Sequence, residues 1–195
     1  MFIRALSSVV AVAAVVWGVS GSLAQAVAAE YRIDHSHSFV QFQTLHLGFS
    51  WLVGRFNQFD GSMTYDPEAG PEAQSIQFEV DMASIDSNHA ERDRHLRGRR
   101  FLNVDEHPLA TFVSTGFEGD RSGGVLSGDL TFLGTTRNIS FDVALIGEGG
   151  DPWGGYRAGF EGQFALDPTE YNDGRRMGPV TGMVIVDIYI EAVRQ

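Results

Sequence analysis

Apolar and polar positions alternate with a period of two through most of this chain. The cleanest run places Ile76, Phe78, Val80 and Met82 between Gln77, Glu79 and Asp81. In an extended strand that spacing puts the four apolar side chains on one face. Comparable rows recur: Val40, Phe42, Thr44 and His46 in 39–47, after a short start at 31–34; Phe59, Met63 and Tyr65 in 53–65; Phe112 in 110–117; Leu130 and Phe132 in 126–132. Ile139, Phe141, Val143 and Leu145 form the next row, Phe160 and Phe164 another in 156–166, and Val184, Val186, Ile188 and Ile190 the last in 183–192. Residues 50–52 read as a connection, 66–70 as a turn, 134–137 as a tight hairpin, and 147–155 as a glycine-rich loop. Eight strands joined by short turns predict an all-β, antiparallel sheet curled into a barrel, with a two-sheet sandwich as the rival. Gly61, Gly128 and Gly162 fall in phase with the Phe rows, so a hollow and a filled interior both remain open.

One stretch breaks the period. Residues 86–102 read as a helix inserted between strands 3 and 4. Asn88 is placed to cap its start, Glu91 to close a capping box, and Gly98 to end it. Its apolar content is thin, so it lies across an end or edge of the sheet, tethered by Leu96, Phe101 and Leu102.

The first 29 residues predict a secretory signal: Arg4, then the apolar run 9–19, then small residues ahead of a cut after Ala26, Ala28 or, preferred, Ala29. Residues 30–195 then form one barrel domain in an exported compartment. With no cysteine, thiolate metal sites and disulfides are excluded. The net charge is −11 and all 14 cationic side chains are arginine. That balance argues against nucleic acid and against broad adsorption to an anionic membrane.

A familiar catalytic motif is missing: there is no phosphate-loop lysine, nucleophile elbow or His-Glu-x-x-His run. His35 and His37 would share a strand face but lack a carboxylate at ligand spacing, so they read as surface histidines and no metal is expected. His46 sits on an inward row, as a core residue or a contact for a polar ligand end. Arg92, Arg94, Arg97, Arg99 and Arg100 crowd one helix, read either as a solvated face or as an anion site.

Blocks spread along the chain resemble the YceI-like proteins: Asp34-His35, His46-Leu47-Gly48, Gly54-Arg55-Phe56, Phe59-Asp60-Gly61, Asn88-x-x-Glu91-Arg92-Asp93-x-His95-Leu96-Arg97, His107-Pro108-x-Ala110-Thr111-Phe112, Gly128-Asp129-Leu130-Thr131 and Asp151-Pro152-Trp153-Gly154-Gly155. The resemblance implies an extended, eight-stranded, lipocalin-like antiparallel barrel with a packed helix, exported to the periplasm, binding a polyisoprenoid or related long-chain lipid and catalysing nothing. It further implies isoprenoid quinones as ligands, since some members accompany membrane cytochromes of the b561 type. Two stretches depart from the family pattern: Arg99-Arg100 stand where a small residue and Asp are usual, and Pro168 interrupts a strand, which predicts a looser edge.

These readings combine into a carrier that needs no cofactor beyond its lipid. Phe42, His46, Phe78, Val80, Phe112, Leu130, Phe132, Phe141, Val143, Phe160, Phe164, Val186 and Ile188 would line the bore, and Arg92, His95 and Arg97 would meet the head group. Membrane contact would be transient. The competing readings are a hydrolase or isomerase using Asp93 and His95, and a scaffold with a filled barrel.

Overall fold

The computed structural model describes residues 28–66, 68, 73–174 and 182–195. The segment read as a signal lies almost wholly outside them. Eleven strands form one antiparallel sheet: β1 (Ala29–Ile33), β2 (Phe39–His46), β3 (Ser50–Phe56), β4 (Phe59–Tyr65), β5 (Ser75–Asp81), β6 (Ile85–Asp86), β7 (Leu109–Asp120), β8 (Gly123–Phe132), β9 (Thr135–Gly150), β10 (Tyr156–Leu166) and β11 (Val184–Arg194). The first six are halves of three long ribbons, β1 with β2, β3 with β4, and β5 with β6. Counted so, there are eight ribbons, each beside its chain neighbour.

The breaks in these ribbons are stitched to adjacent strands. Ser38 Oγ accepts from Glu191 N at 2.9 Å where β1 passes to β2. Asn57 N donates to Ser84 O at 3.2 Å, and Asp81 N to Gln58 O at 3.0 Å, where β3 passes to β4. Closure falls to β11, which pairs through Val184–Tyr189 with β2 and through Ala192–Arg194 with β1. A sheet closed in this way has no free edge along the seam.

The interior stays open because aromatic rings lie flat against the wall. A Cβ built on Gly54 would stand 2.3 Å from Phe42 Cζ, and one on Gly128 would stand 2.2 Å from Phe112 Cζ. Phe78 covers Gly61 and Phe141 covers Gly162 in the same manner. A glycine that leaves its own site empty lets a neighbouring ring turn sideways instead of standing into the bore. Packed clusters close in at both ends: Val40, Val80, Leu130, Phe132 and Tyr171 at one, Tyr31, Met63, Tyr65 and Ile190 at the other.

The helix α1 (Ala90–Arg97) lies between β6 and β7, as expected, but its cap differs. Asn88 adopts a left-handed φ of 61°, and His89 takes the cap, its Nδ1 accepting from Arg92 N at 3.2 Å. Glu91 is then one position short of closing a capping box and pairs with Arg94 at 2.6 Å. Leu96, Phe101 and Leu102 do tether the segment to the core.

Several boundaries shift. Residues 50–52 belong to β3, with Leu45 opposite Trp51, and the connection is Leu47, Gly48 and Phe49. The hairpin near 134 turns at Leu133–Gly134, with Thr135 already paired to Phe132. β9 runs on through Gly150, so the glycine-rich loop shrinks to 151–155. Pro168 follows an edge held on one side only: β10 pairs with β11 through Leu166 but with β9 only as far as Gly162. The proline opens a 3-10 turn (Pro168–Tyr171) that buries Tyr171 against Phe132, ring centroids 5.7 Å apart. The turn at 66–70 lies mostly outside the described residues.

Candidate functional site

A cavity of about 840 Å³ runs through the barrel. Its wall is built from the alternating rows: Val40, Phe42, Thr44 and His46 from β2; Phe78 and Val80 from β5; Phe112 from β7; Leu130 and Phe132 from β8; Phe141 and Val143 from β9; Phe160 and Phe164 from β10; Val186 and Ile188 from β11. All thirteen residues expected on the bore face it. At about 30 Å³ per water-sized group, the volume holds on the order of 25–30 carbon-sized groups, near five isoprene units.

At one end the cavity meets α1 and the β2–β3 hairpin, where His46, Leu52, His89, Arg92, His95 and Leu96 line it. Arg92 donates from Nε to Ser87 Oγ at 2.7 Å and from Nη2 to Ser87 O. Asp93 is buried and accepts from Ser87 N at 2.9 Å and Ser87 Oγ at 2.5 Å. Arg97 does not line the cavity; it donates to Ala83 O at 2.7 Å and Ile85 O at 2.8 Å, pinning α1 to the β5–β6 turn. His95 is largely exposed, 3.5 Å from Glu91 Oε1. Asp93 and His95 therefore face different partners and make no contact as a catalytic pair.

The opposite end carries a polar group that alternation could not reveal. Ile146 is an extra residue in β9: Leu145 pairs with Phe160 and Gly147 with Gly159. This bulge moves Glu148 onto the inward side, opposite the buried Ala158. Bulges re-aim side chains in this way. The Glu148 side chain is 5% exposed, and Arg121 meets it at 2.6 Å, with Tyr65 beside it. Burial, followed by the Glu148 charge, pushes the Tyr65 hydroxyl up to about 12. Neither Glu148 oxygen nor Tyr65 Oη has an aligned hydrogen bond.

His37 finds the carboxylates its sequence neighbourhood seemed to lack: Asp34 and Glu191 lie close enough to share an ion with it. Arg157 already occupies that position, 2.8 Å from Asp34 Oδ2, 2.9 Å from Asp151 Oδ2, and in contact with Glu191. The cluster is a knot of charge joining β1, β10 and β11, and His35 takes no part in it.

A family model described as the YceI-like domain matches residues 31–192. The chain belongs to the YceI-like family. A UPF0312 protein of Pseudomonas aeruginosa is 45% identical to this YceI-like chain over 173 residues, covering 88% of this chain and 90% of the relative. Burkholderia cenocepacia BcnA superposes with a TM-score of 0.70 at 22% identity, over 84% of this chain and 99% of its own. A polyisoprenoid binding domain from Saccharophagus degradans, implicated in plant cell wall breakdown, gives a TM-score of 0.60 at 14% identity, over 85% and 98%. At these identities both structures bear on the fold of the YceI-like chain alone.

Proposed function

We propose that the protein is a non-enzymatic carrier that holds one isoprenoid chain in its bore, in the periplasm, with the head group toward α1. The observation that carries this reading is the cavity of about 840 Å³ walled by aromatic and aliphatic side chains. At ~0.8 kcal/mol per buried CH₂-sized group, a tail of about twenty carbons has a gross transfer term from water near ~16 kcal/mol. Ordering the tail offsets part of it, and relative to a bilayer little remains. Selectivity then rests on the head, which Arg92 and His95 would meet; Arg97 acts by holding α1 in place. An isoprenoid quinone or a polyprenyl phosphate satisfies this chemistry. A membrane cytochrome of the b561 type is the partner that the quinone form implies. The polyisoprenoid-binding relative in fold supports the choice of ligand class.

The test is native mass spectrometry of protein purified from periplasm, followed by organic extraction of whatever it carries. The expected result is one lipid per chain, with an isoprenoid fragmentation series. Protein that is repeatedly free of lipid, and that takes up no added isoprenoid quinone, would sink the carrier reading.

A further inference from the structure

The β2–β3 hairpin presents two unlike faces at the α1 end of the cavity. Its inward side chains, Thr44, His46 and Leu52, line the bore. Its outward side chains are apolar toward the tip and polar toward the base. Leu45 lies opposite Trp51 near the tip, whereas Gln41 lies opposite Arg55 near the base. Phe49, in the turn itself, is 86% exposed, and Trp51 is 55% exposed. Nothing among the described residues covers them. Large apolar groups left bare together at one rim mark an interaction site.

The charge on the α1 segment beside this patch is mostly positive, five arginines against Glu91 and Asp93. Arg92 and Arg97 stand on α1, and Arg99 and Arg100 are exposed in the turn that follows it; among the described residues none of the four makes a salt bridge, whereas Arg94 is paired with Glu91. The chain as a whole carries −11, so an anionic surface repels most of it and attracts this end. Aromatic side chains set beside unpaired arginines are the combination that seats at the boundary between acyl chains and anionic head groups.

We propose that the hairpin tip and the arginines of the α1 segment form a docking surface for an anionic phospholipid bilayer, with the cavity opening onto the membrane. The inference extends the carrier reading: a greasy tail moved through water would pay the full transfer cost, and a bore that opens on the bilayer avoids that passage. A membrane is favoured over a second copy of the chain because a copy would bring its own unpaired arginines against these.

The experiment is flotation of the purified protein with isoprenoid-free vesicles, either phosphatidylethanolamine with phosphatidylglycerol or phosphatidylcholine alone. The wild-type protein is expected to float with the anionic vesicles and to remain behind with the neutral ones. The paired substitutions F49S/W51S and R99E/R100E are each expected to lower the bound fraction about tenfold, and only the arginine contribution should fade with salt. Single F49S, at an exposed turn position, reports the same effect where the pair perturbs folding. Equal flotation of the wild-type and all variants, or none at all, overturns the proposal. So does a sedimenting dimer that F49S dissociates while flotation is unchanged. Because the vesicles lack isoprenoid, flotation by protein that carries no lipid and takes up no added isoprenoid quinone would sink the carrier reading alone. Lipid-loaded protein that never floats would sink only the docking surface.

Discussion

Gly128 has no side chain, and the Phe112 ring occupies the space where one would stand. The same exchange occurs at Gly54 beneath Phe42, and it is the smallest unit from which the hollow is made. The two sites differ in what a methyl group would strike. At Gly54 the nearest atoms belong to the Phe42 ring, which can swing away, and the Asp86 carbonyl oxygen is next at 3.0 Å. At Gly128 the Val113 carbonyl oxygen also stands 2.7 Å from the Cβ position, and backbone yields less easily. Gly54→Ala is expected to cost about 1 kcal/mol and Gly128→Val about 3 kcal/mol in urea unfolding. Both push a ring into the bore and so should lower the amount of lipid recovered per chain. Asp34 supplies a second residue-scale expectation. Hydrogen bonds from Ser36, His37 and Arg157 hold its carboxyl well below the usual carboxylate range. Asp151 is lowered too, chiefly by Arg157. A carboxylate lowered on folding contributes its stability above the unfolded value, near 4, and gives it up as pH falls toward the folded value. The thermal midpoint should hold level from about pH 8 to 5 and decline below about pH 4. Asp34→Asn should lower the neutral plateau and shorten the acid decline.

Among the elements, α1 was legible as a helix and as a cover, because polar residues at 86–95 break the two-residue period. Its cap was not legible. Asn88 and His89 both offer a side-chain acceptor, and the choice depends on Asp86 Oδ1, which takes the Asn88 amide at 2.9 Å and turns that residue left-handed. The helix is held less by apolar contact than by Arg97 on two backbone carbonyls and Asp93 on Ser87. Asp93→Ala should therefore cost about 2–3 kcal/mol by leaving the Ser87 amide unpaired in a buried place. Hydrogen exchange across α1 should rise severalfold while exchange in β8 and β9 stays slow. The hairpin at 47–49 was misplaced for a related reason. Leu47 takes φ 50° and Gly48 φ 79°, a turn that keeps Ser50 and Trp51 in the ladder, and the polar Ser50 disguised them as a connection. The bulge at Ile146 was hidden because Gly147, Gly149 and Gly150 read as a loop, which ended the strand row at Leu145.

For the molecule as a whole, the alternating rows gave the barrel and every bore residue that was named, because a closed sheet has only an inside and an outside. They could not give the volume. That depends on whether rings lie flat or stand upright, which is settled between strands, at pairs such as Phe42 with Gly54, and not within one. The ends were legible only in part. The α1 end announced itself through its arginines, whereas the Glu148–Arg121 contact depends on a register shift. The result is a largely apolar tube with unlike ends, one rich in arginine and the other carrying a buried carboxylate. That polarity underlies the expected outcomes of the lipid extraction and the vesicle flotation, since each assumes that cargo and membrane meet the same end.

The seam adds a matter of timing. Both early ribbon halves, β1 and β2, find their outer partner in β11, which comes after every other strand in the fold. Until that strand has folded into place, the first ribbon has one side bare and there is no enclosed space to fill. A chain halted before residue 184 would be an open trough, so on the carrier reading loading waits for the fold's final strand.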